Sequence, residues 1–358
     1  MSTRHGFDRA ALVTGTLFAL AAGLMWGLVF ITPLLLPQYP AALLSFARYL
    51  AFGLIALPLA WWDRARIAQL TAADWREAGK LALIGNVLYY LFLAAAIQRA
   101  GAPLPSMIIG TLPVVIALYA NVRNAQRDGR LAWRQLLPSL SLIIAGIALV
   151  NEAEWRQFAA AHAGASADAV NGAVNDAVSD AKLRYLGGAM LAVVALACWT
   201  WYPMRNADWL RAHPERSSST WATAQGIATL PLALIGLASL WLWDAVLPLR
   251  AAGTGAGGDF AMPWGPTPWR FVALMLTIGL FASWLGTLCW NEASQRLPTS
   301  VAGQLIVFET LAALAYAFVL RSQWPTWTTL AGVALLLLGV VSALRLKPMR
   351  AHPVPAPP

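Results

Sequence analysis

The sequence predicts an all-α integral membrane protein in which ten transmembrane helices form two inverted five-helix repeats. Three observations lead there: a composition too apolar for water, ten apolar runs of spanning length, and a match between the two halves of the chain. Of 358 residues, 59% are hydrophobic and 11% are charged, whereas soluble domains average about 45–50% and about 25%. Mean hydropathy is +0.60. An ordinary soluble enzyme is excluded before any motif is read. The formal charge of +9 could suggest nucleic acid. The basic residues, however, fall in short gaps between apolar runs rather than on one face, so no nucleic-acid partner is expected.

A bilayer core about 30 Å thick needs roughly 20 apolar residues per helix. Runs of that kind occupy about 16–36, 41–62, 80–98, 103–122, 136–151, 186–205, 219–243, 271–291, 299–320 and 327–345. The first is as long as a full span, and no small-residue cleavage site follows it, so it reads as a retained helix rather than a signal peptide. Lys and Arg set the orientation. With a cytoplasmic N-terminus, 17 of the 25 basic residues lie inside, seven lie outside, and Arg48 alone is within a span. Both termini are therefore expected in the cytoplasm. Trp61, Trp62, Trp75, Trp241, Trp243, Trp324 and Trp327 stand at span ends, where an indole suits the headgroup region. The absence of transit-peptide features points to a multi-pass protein of a bacterial inner membrane.

Sliding the sequence on itself at an offset of 197 aligns residues 81–122 with 278–319 without a gap, at ten identities in 42 positions. Gln98-Arg99 falls on Gln295-Arg296, Ile109 on Ile306 and Tyr119-Ala120 on Tyr316-Ala317. At an offset of 173, Gly15, Ala19, Ala22 and Trp26 fall on Gly188, Ala192, Ala195 and Trp199. Five spans per half is an odd number, so the second half must run through the membrane upside down. The expected organisation is a first repeat at 1–151, an external Ala/Asp-rich loop at 152–185, a second repeat at 186–345 and a Pro-rich cytoplasmic tail at 346–358. Inverted repeats are the architecture of alternating-access carriers, with a substrate site near the midplane.

The segments GTLFALAAGLMWG (15–27) and GGAMLAVVALACW (187–199) share a Gly, small residues and a Trp. With SFARYLAFGLIAL (45–57), GTLPVV (110–115) and GVALLLLGVV (332–341) in this order and spacing, the chain resembles the EamA-type members of the drug/metabolite transporter superfamily. The resemblance implies a transporter rather than an enzyme, with the first, third, fourth, sixth, eighth and ninth spans around a central cavity. That places Trp26, Trp199 and Gln304 on its wall. The family often has Pro where this chain has Thr310, and an acidic residue where it has Arg321-Ser322-Gln323.

No catalytic constellation is expected, and no cofactor or metal. His5, His162, His213 and His352 all fall in tails or loops, and Cys198 and Cys289 read as packing residues. GTGAGG (253–258) lacks the Lys-Ser/Thr of a phosphate loop and reads as a linker. Two charges lie deep in the spans: Arg48 about 12 Å from the outer boundary and Glu309 about 16 Å from the inner one, at about 1.5 Å per residue. An ionised group at such depth faces a partner or a wet cavity. Either Arg48 neutralises an anionic substrate group while Glu309 takes a proton or an amine, or the two pair with each other or with helix carbonyls. Ala312, Ala313 and Tyr316 give Glu309 a small-residue face.

Asn86, Tyr89 and Tyr90 make one polar and aromatic face of the third span, and their partners in the eighth are Ser283, Gly286 and Thr287. These groups suit a pocket for a small molecule with an apolar body and few polar handles, or else an interhelical seam. Candidate binding residues are thus Trp26, Arg48, Asn86, Tyr89, Tyr90, Trp199, Thr287, Gln304 and Glu309. Pro113 lets the fourth span bend. Gly332 and Gly339 mark a close-packing face, internal or in a homodimer. The expected activity is secondary transport, as export of a small metabolite or amino acid. The alternatives are multidrug efflux of lipophilic cations and a non-transporting membrane subunit.

Overall fold

A computed structural model describes residues 9–100, 103–123, 133–166, 173–246, 260–297, 299–322 and 324–344. GTGAGG, the tail 346–358, His5 and His352 lie outside them. The described residues are helical, with no strand among them. Eight helical stretches are long and apolar enough to cross a membrane, and two shorter apolar helices, Leu104–Ile116 and Trp327–Gly339, stand where the fourth and tenth spans are expected.

The order is α1 (Arg9–Leu35), α2 (Ala41–Trp62), the short α3 (Arg64–Ile67) and α4 (Ala72–Lys80). A π-helical stretch, Leu81–Leu88, joins α4 to α5 (Tyr89–Ala100). Then come α6 (Pro103–Gly110), α7 (Leu112–Arg123), α8 (Trp133–Ser166), α9 (Ala173–Ala212) and α10 (Ser218–Val246). A second π stretch, Gly279–Leu285, joins α11 (Pro268–Ile278) to α12 (Gly286–Arg296). The chain ends with α13 (Thr299–Leu305), α14 (Val307–Arg321) and α15 (Trp327–Leu344).

Local chemistry sets these boundaries. Pro40 precedes α2, and Thr71 caps α4 in a capping box with Asp74. Pro268 opens α11, where its missing N–H is harmless, and Ser322 closes α14 in the left-handed region at φ 53°. The largest departure from expectation is at 152–185, read from sequence as a loop. Here α8 continues to Ser166 and α9 begins at Ala173, because an Ala-rich stretch has high helix propensity even where it is too polar for lipid.

Glycine decides how closely the rods approach. Gly23 and Gly27 of α1 lie on α14: a Cβ on Gly27 would stand 2.7 Å from the Ala312 Cβ, and one on Gly23 3.0 Å from the Glu309 nitrogen. Gly146 of α8 and Gly332 of α15 face each other, each with the other's carbonyl within 3 Å of its Cβ position, and Gly339 lies on Ser139 and Ile143. The Gly332/Gly339 face is thus used inside the chain. Further rods pair as α2 with α10, α5 with α9, α1 with α12 and α7 with α13. Trp61, Trp62, Trp241, Trp243, Trp324 and Trp327 are exposed, as residues of a headgroup belt are.

The two ends of the bundle are tied differently. At one, the Arg205 guanidinium pairs with Glu77 (Nη2 to Oε2 3.0 Å), Arg216 with Asp74 (3.6 Å), and the Thr220 hydroxyl donates to Asp63. At the other, Tyr39 stacks on Phe271 (4.8 Å, 9°), donates to the Trp264 carbonyl (2.8 Å) and accepts from the Thr267 N–H (2.9 Å).

Candidate functional site

Glu309 is 1% exposed and sits in the first turn of α14, where the N-terminal dipole favours a carboxylate. Its Oε2 accepts from the Trp199 indole N–H (3.1 Å) and its Oε1 from the Tyr89 hydroxyl (3.4 Å). Those two rings stack on each other (4.4 Å, 12°), and Trp199 also stacks with Tyr202 (5.3 Å, 4°). Trp26 of α1 meets Trp199 edge-on at 4.8 Å and lies 5.3 Å from Trp290. Gly286 leaves room for the Trp26 indole, whose nitrogen would be 2.7 Å from a Cβ there. The spacing of 199, 202 and 206 puts Trp199, Tyr202 and Asn206 on one face of α9.

Arg48, 4% exposed, lies over the rings of Tyr90 (4.6 Å) and Tyr49 (5.0 Å). Its Nε donates to the Ser283 hydroxyl (3.0 Å). The salt bridges among the described residues include none between Arg48 and Glu309. Of the alternatives, direct pairing of the two is not seen among the described residues; Tyr89 serves Glu309 and the neighbouring Tyr90 underlies Arg48. Ser45 of α2 donates to the Val87 carbonyl (2.9 Å) and so holds α2 against the first π stretch.

Of the remaining candidates, Asn86 and Thr287 are buried, and Thr287 stands beside the Tyr202 hydroxyl. Gln304 is buried in α13 with its Oε1 unpartnered, and no hydrogen bond among the described residues joins it to Glu309. Seven of the nine candidates are therefore drawn into two linked clusters: Trp26, Tyr89, Trp199, Thr287 and Glu309 around the ring stack, and Arg48 with Tyr90 beside it. Asn86 and Gln304 are buried without such a tie.

Residues 13–152 match the family described as the EamA-like transporter family. Over 339 residues the chain is 50% identical to the inner membrane protein YtfF of Escherichia coli (strain K12), covering 94% of this chain and 97% of that protein. The chain belongs to the EamA-like transporter family. It is also 21% identical over 298 residues to an uncharacterized transporter of Archaeoglobus fulgidus, covering 83% of this chain and 85% of that one. A solved crystal structure matches with a TM-score of 0.61 at 14% identity, over 92% of this chain and 96% of that one, a likeness of fold alone. This EamA-like chain is accordingly a multi-pass inner-membrane protein of a transporter family.

Several polar residues of this EamA-like chain escape the sequence reading. Asn206 accepts from the Trp221 indole (2.8 Å) and the Gln225 amide (3.1 Å) and donates to Asn291 (2.7 Å), which donates to the Ser218 carbonyl (3.1 Å). Tyr202 donates to Gln225 (2.9 Å), joining this network to the ring stack. The available signals were polar residues at 3- and 4-residue spacing on otherwise apolar helices, and Ser283 as the repeat counterpart of Asn86.

Proposed function

We propose that this EamA-like protein is a secondary carrier with ten spans in two inverted five-helix halves, exporting a small metabolite or amino acid by alternating access. Both termini are cytoplasmic in this reading, and residues 1–151 and 186–345 are the halves. Helix pairing supports the duplication. The first half's α5 packs on α9 and, with the halves exchanged, α12 packs on α1; α2–α10 and α8–α15 each pair a rod with its own counterpart, and α7 of the fourth span packs on α13 of the ninth. The π stretches add to this, since 81–88 shifted by 197 becomes 278–285, against the observed Gly279–Leu285. π turns recur at functional positions in helices.

The observation that carries the reading is the pair of buried, opposite, mutually unpaired charges, Arg48 and Glu309, amid aromatic rings supplied by both halves. Charges of that kind in a span mark a substrate or ion path. Glu309 is the proposed proton site, exchanged against outward substrate movement, and Trp26, Tyr89, Trp199, Thr287 and Gln304 are proposed to line the path with Arg48, Asn86 and Tyr90. The test is flux in proteoliposomes under an imposed pH gradient. The gradient should accelerate wild-type flux and leave Glu309→Gln unaffected; equal gradient dependence in both would sink proton exchange at Glu309. A counterflow screen that finds no solute moved would favour the non-transporting subunit instead.

A second reading, efflux of lipophilic cations, draws on one specific feature. Tyr89 and Trp199 present ring faces beside a carboxylate, a combination that attracts organic cations. Loss of drug tolerance in cells expressing Glu309→Gln, with metabolite export unchanged, would favour it.

A further inference from the structure

Three polar atoms of α2 and the third span are unbalanced. Among the described residues, Arg48 Nη1, Asn86 Nδ2 and the Tyr90 hydroxyl are buried with no hydrogen-bond partner. Thr32 stands beside the Tyr90 hydroxyl but outside hydrogen-bonding geometry with it, and gives its own proton to the Leu28 carbonyl (3.2 Å). Ser283, the one side chain that accepts from Arg48, is used on the guanidinium Nε and spends its own proton on the Ile278 carbonyl (3.2 Å). Asn86 and Tyr90 are four residues apart across the junction of the first π stretch with α5, which puts both on one helix face. That face is turned to α2 by the Ser45–Val87 bond and by the Arg48 guanidinium over the Tyr90 ring. The set therefore offers three unpartnered groups able to donate, beside one positive charge. An unsatisfied buried donor is destabilising, more so beside a charge, so such a set is expected to hold an acceptor that the chain itself does not provide.

We propose that Arg48, Asn86 and Tyr90 form a subsite for the carboxylate of a small organic acid, with the carbon body of that ligand lying on the Tyr89–Trp199 ring stack. The inference rests on the carrier reading and names the chemistry of its substrate. A carboxylate fits the donor set best: it is planar, it carries the single charge that Arg48 matches, and its two oxygens divide three donors in the manner of charge-assisted pairs. A phosphate dianion would bring a second negative charge with no basic group to meet it and Glu309 nearby. A halide is a single centre and leaves donors of the set unmet. The body of the ligand is placed by adjacency, since Tyr90 lies under Arg48 while the next residue, Tyr89, stacks on Trp199.

The test is equilibrium binding to the full chain purified in detergent, by calorimetry and thermal shift, with no gradient applied. The probes are monocarboxylates of two to ten carbons, aliphatic and aromatic, phenylacetate among them, each beside its neutral amide. Sodium chloride and inorganic phosphate at the same ionic strength are further arms. At least one acid should bind about tenfold or more tightly than its amide. Arg48→Gln should bring acid and amide to within about twofold, and Arg48→Lys should keep a reduced preference for the acid. Should Arg48→Gln fail to fold, Tyr90→Phe removes one donor and should weaken the acid severalfold while leaving the amide unchanged. Four results overturn the assignment: no acid in the panel binds; acids and amides bind alike; Arg48→Gln and Tyr90→Phe both retain the full preference; or chloride or phosphate displaces the acids stoichiometrically. Selective binding without flux in proteoliposomes would leave the subsite standing and sink the carrier. Flux with no preference for acids would do the reverse.

Discussion

Trp199 holds Glu309 with an indole N–H at 3.1 Å, and Tyr89 with a hydroxyl at 3.4 Å. Hydrogen bonds between membrane helices contribute from about 0.6 to about 2 kcal/mol, and the shorter of the two should lie at the upper end. Trp199→Phe keeps a ring in the stack but deletes the donor, so it should lower stability by about 1–2 kcal/mol. Tyr89→Phe should cost less than about 0.6 kcal/mol. Thermal unfolding of both variants in one detergent checks the order; Tyr89→Phe as the worse of the two would mean that the hydroxyl, not the indole, holds the carboxylate. Glu309 and Arg48 were readable from the sequence because a charge in an apolar run needs no fold to be noticed. Tyr202 and Asn206 were not, because a hydroxyl or amide in a span acquires meaning only from its partner, and Ser283, legible only as the repeat counterpart of Asn86, has its partner Arg48 235 residues away.

At the scale of the helix, the glycines of α1 make a sharper forecast than its apolar residues. A side chain at Gly27 would meet the Ala312 Cβ at 2.7 Å and the Ala313 nitrogen at 2.8 Å, whereas Gly79 of α4 has nothing within 4 Å of its Cβ position. Gly27→Val should push α1 off α14 and destabilise the protein by about 1–3 kcal/mol, as overpacking does. Gly79→Ala should be neutral or stabilising by up to about 1 kcal/mol through helix propensity. Thermal midpoints of the pair decide it, and similar losses in both would show that α1 is free to move away. The spans themselves were legible, since twenty apolar residues in lipid have few structures open to them. Their ends were less so. Charges and alanines between 152 and 185 argue against a span, yet α8 and α9 run on as helix beyond the apolar stretch. The two π stretches left no sequence mark, because one extra residue in a turn alters neither composition nor apolar period enough to be read.

For the whole molecule, the ties between Glu77 and Arg205 and between Asp74 and Arg216 link residues that the sequence assigns to opposite halves. In the Glu77–Arg205 pair the Arg205 side chain is half exposed, which suits a contact that would open in the proposed transport cycle, since pairs that solvated are worth about 1 kcal/mol or less. Glu77 itself is buried, so Glu77→Arg should lower stability by more than the pair alone while changing the counterflow rate. The double variant Glu77→Arg with Arg205→Glu should recover more than half of the lost rate. No recovery would show that the pair is not what couples the halves at this end.

Arg48 and Glu309 also have an electrical consequence. With both groups ionised, the centre of the empty protein holds equal and opposite charge at similar depth, so a transmembrane voltage would exert almost no net force on the proposed rocking of the halves. A bound anion breaks that balance. Carrying one uncompensated charge across 100 mV is worth about 2.3 kcal/mol, roughly fiftyfold in an equilibrium ratio. In the proposed exchange the voltage would act on the anion-loaded protein through one negative charge, and on the substrate-free protein, protonated at Glu309, through the uncompensated charge of Arg48.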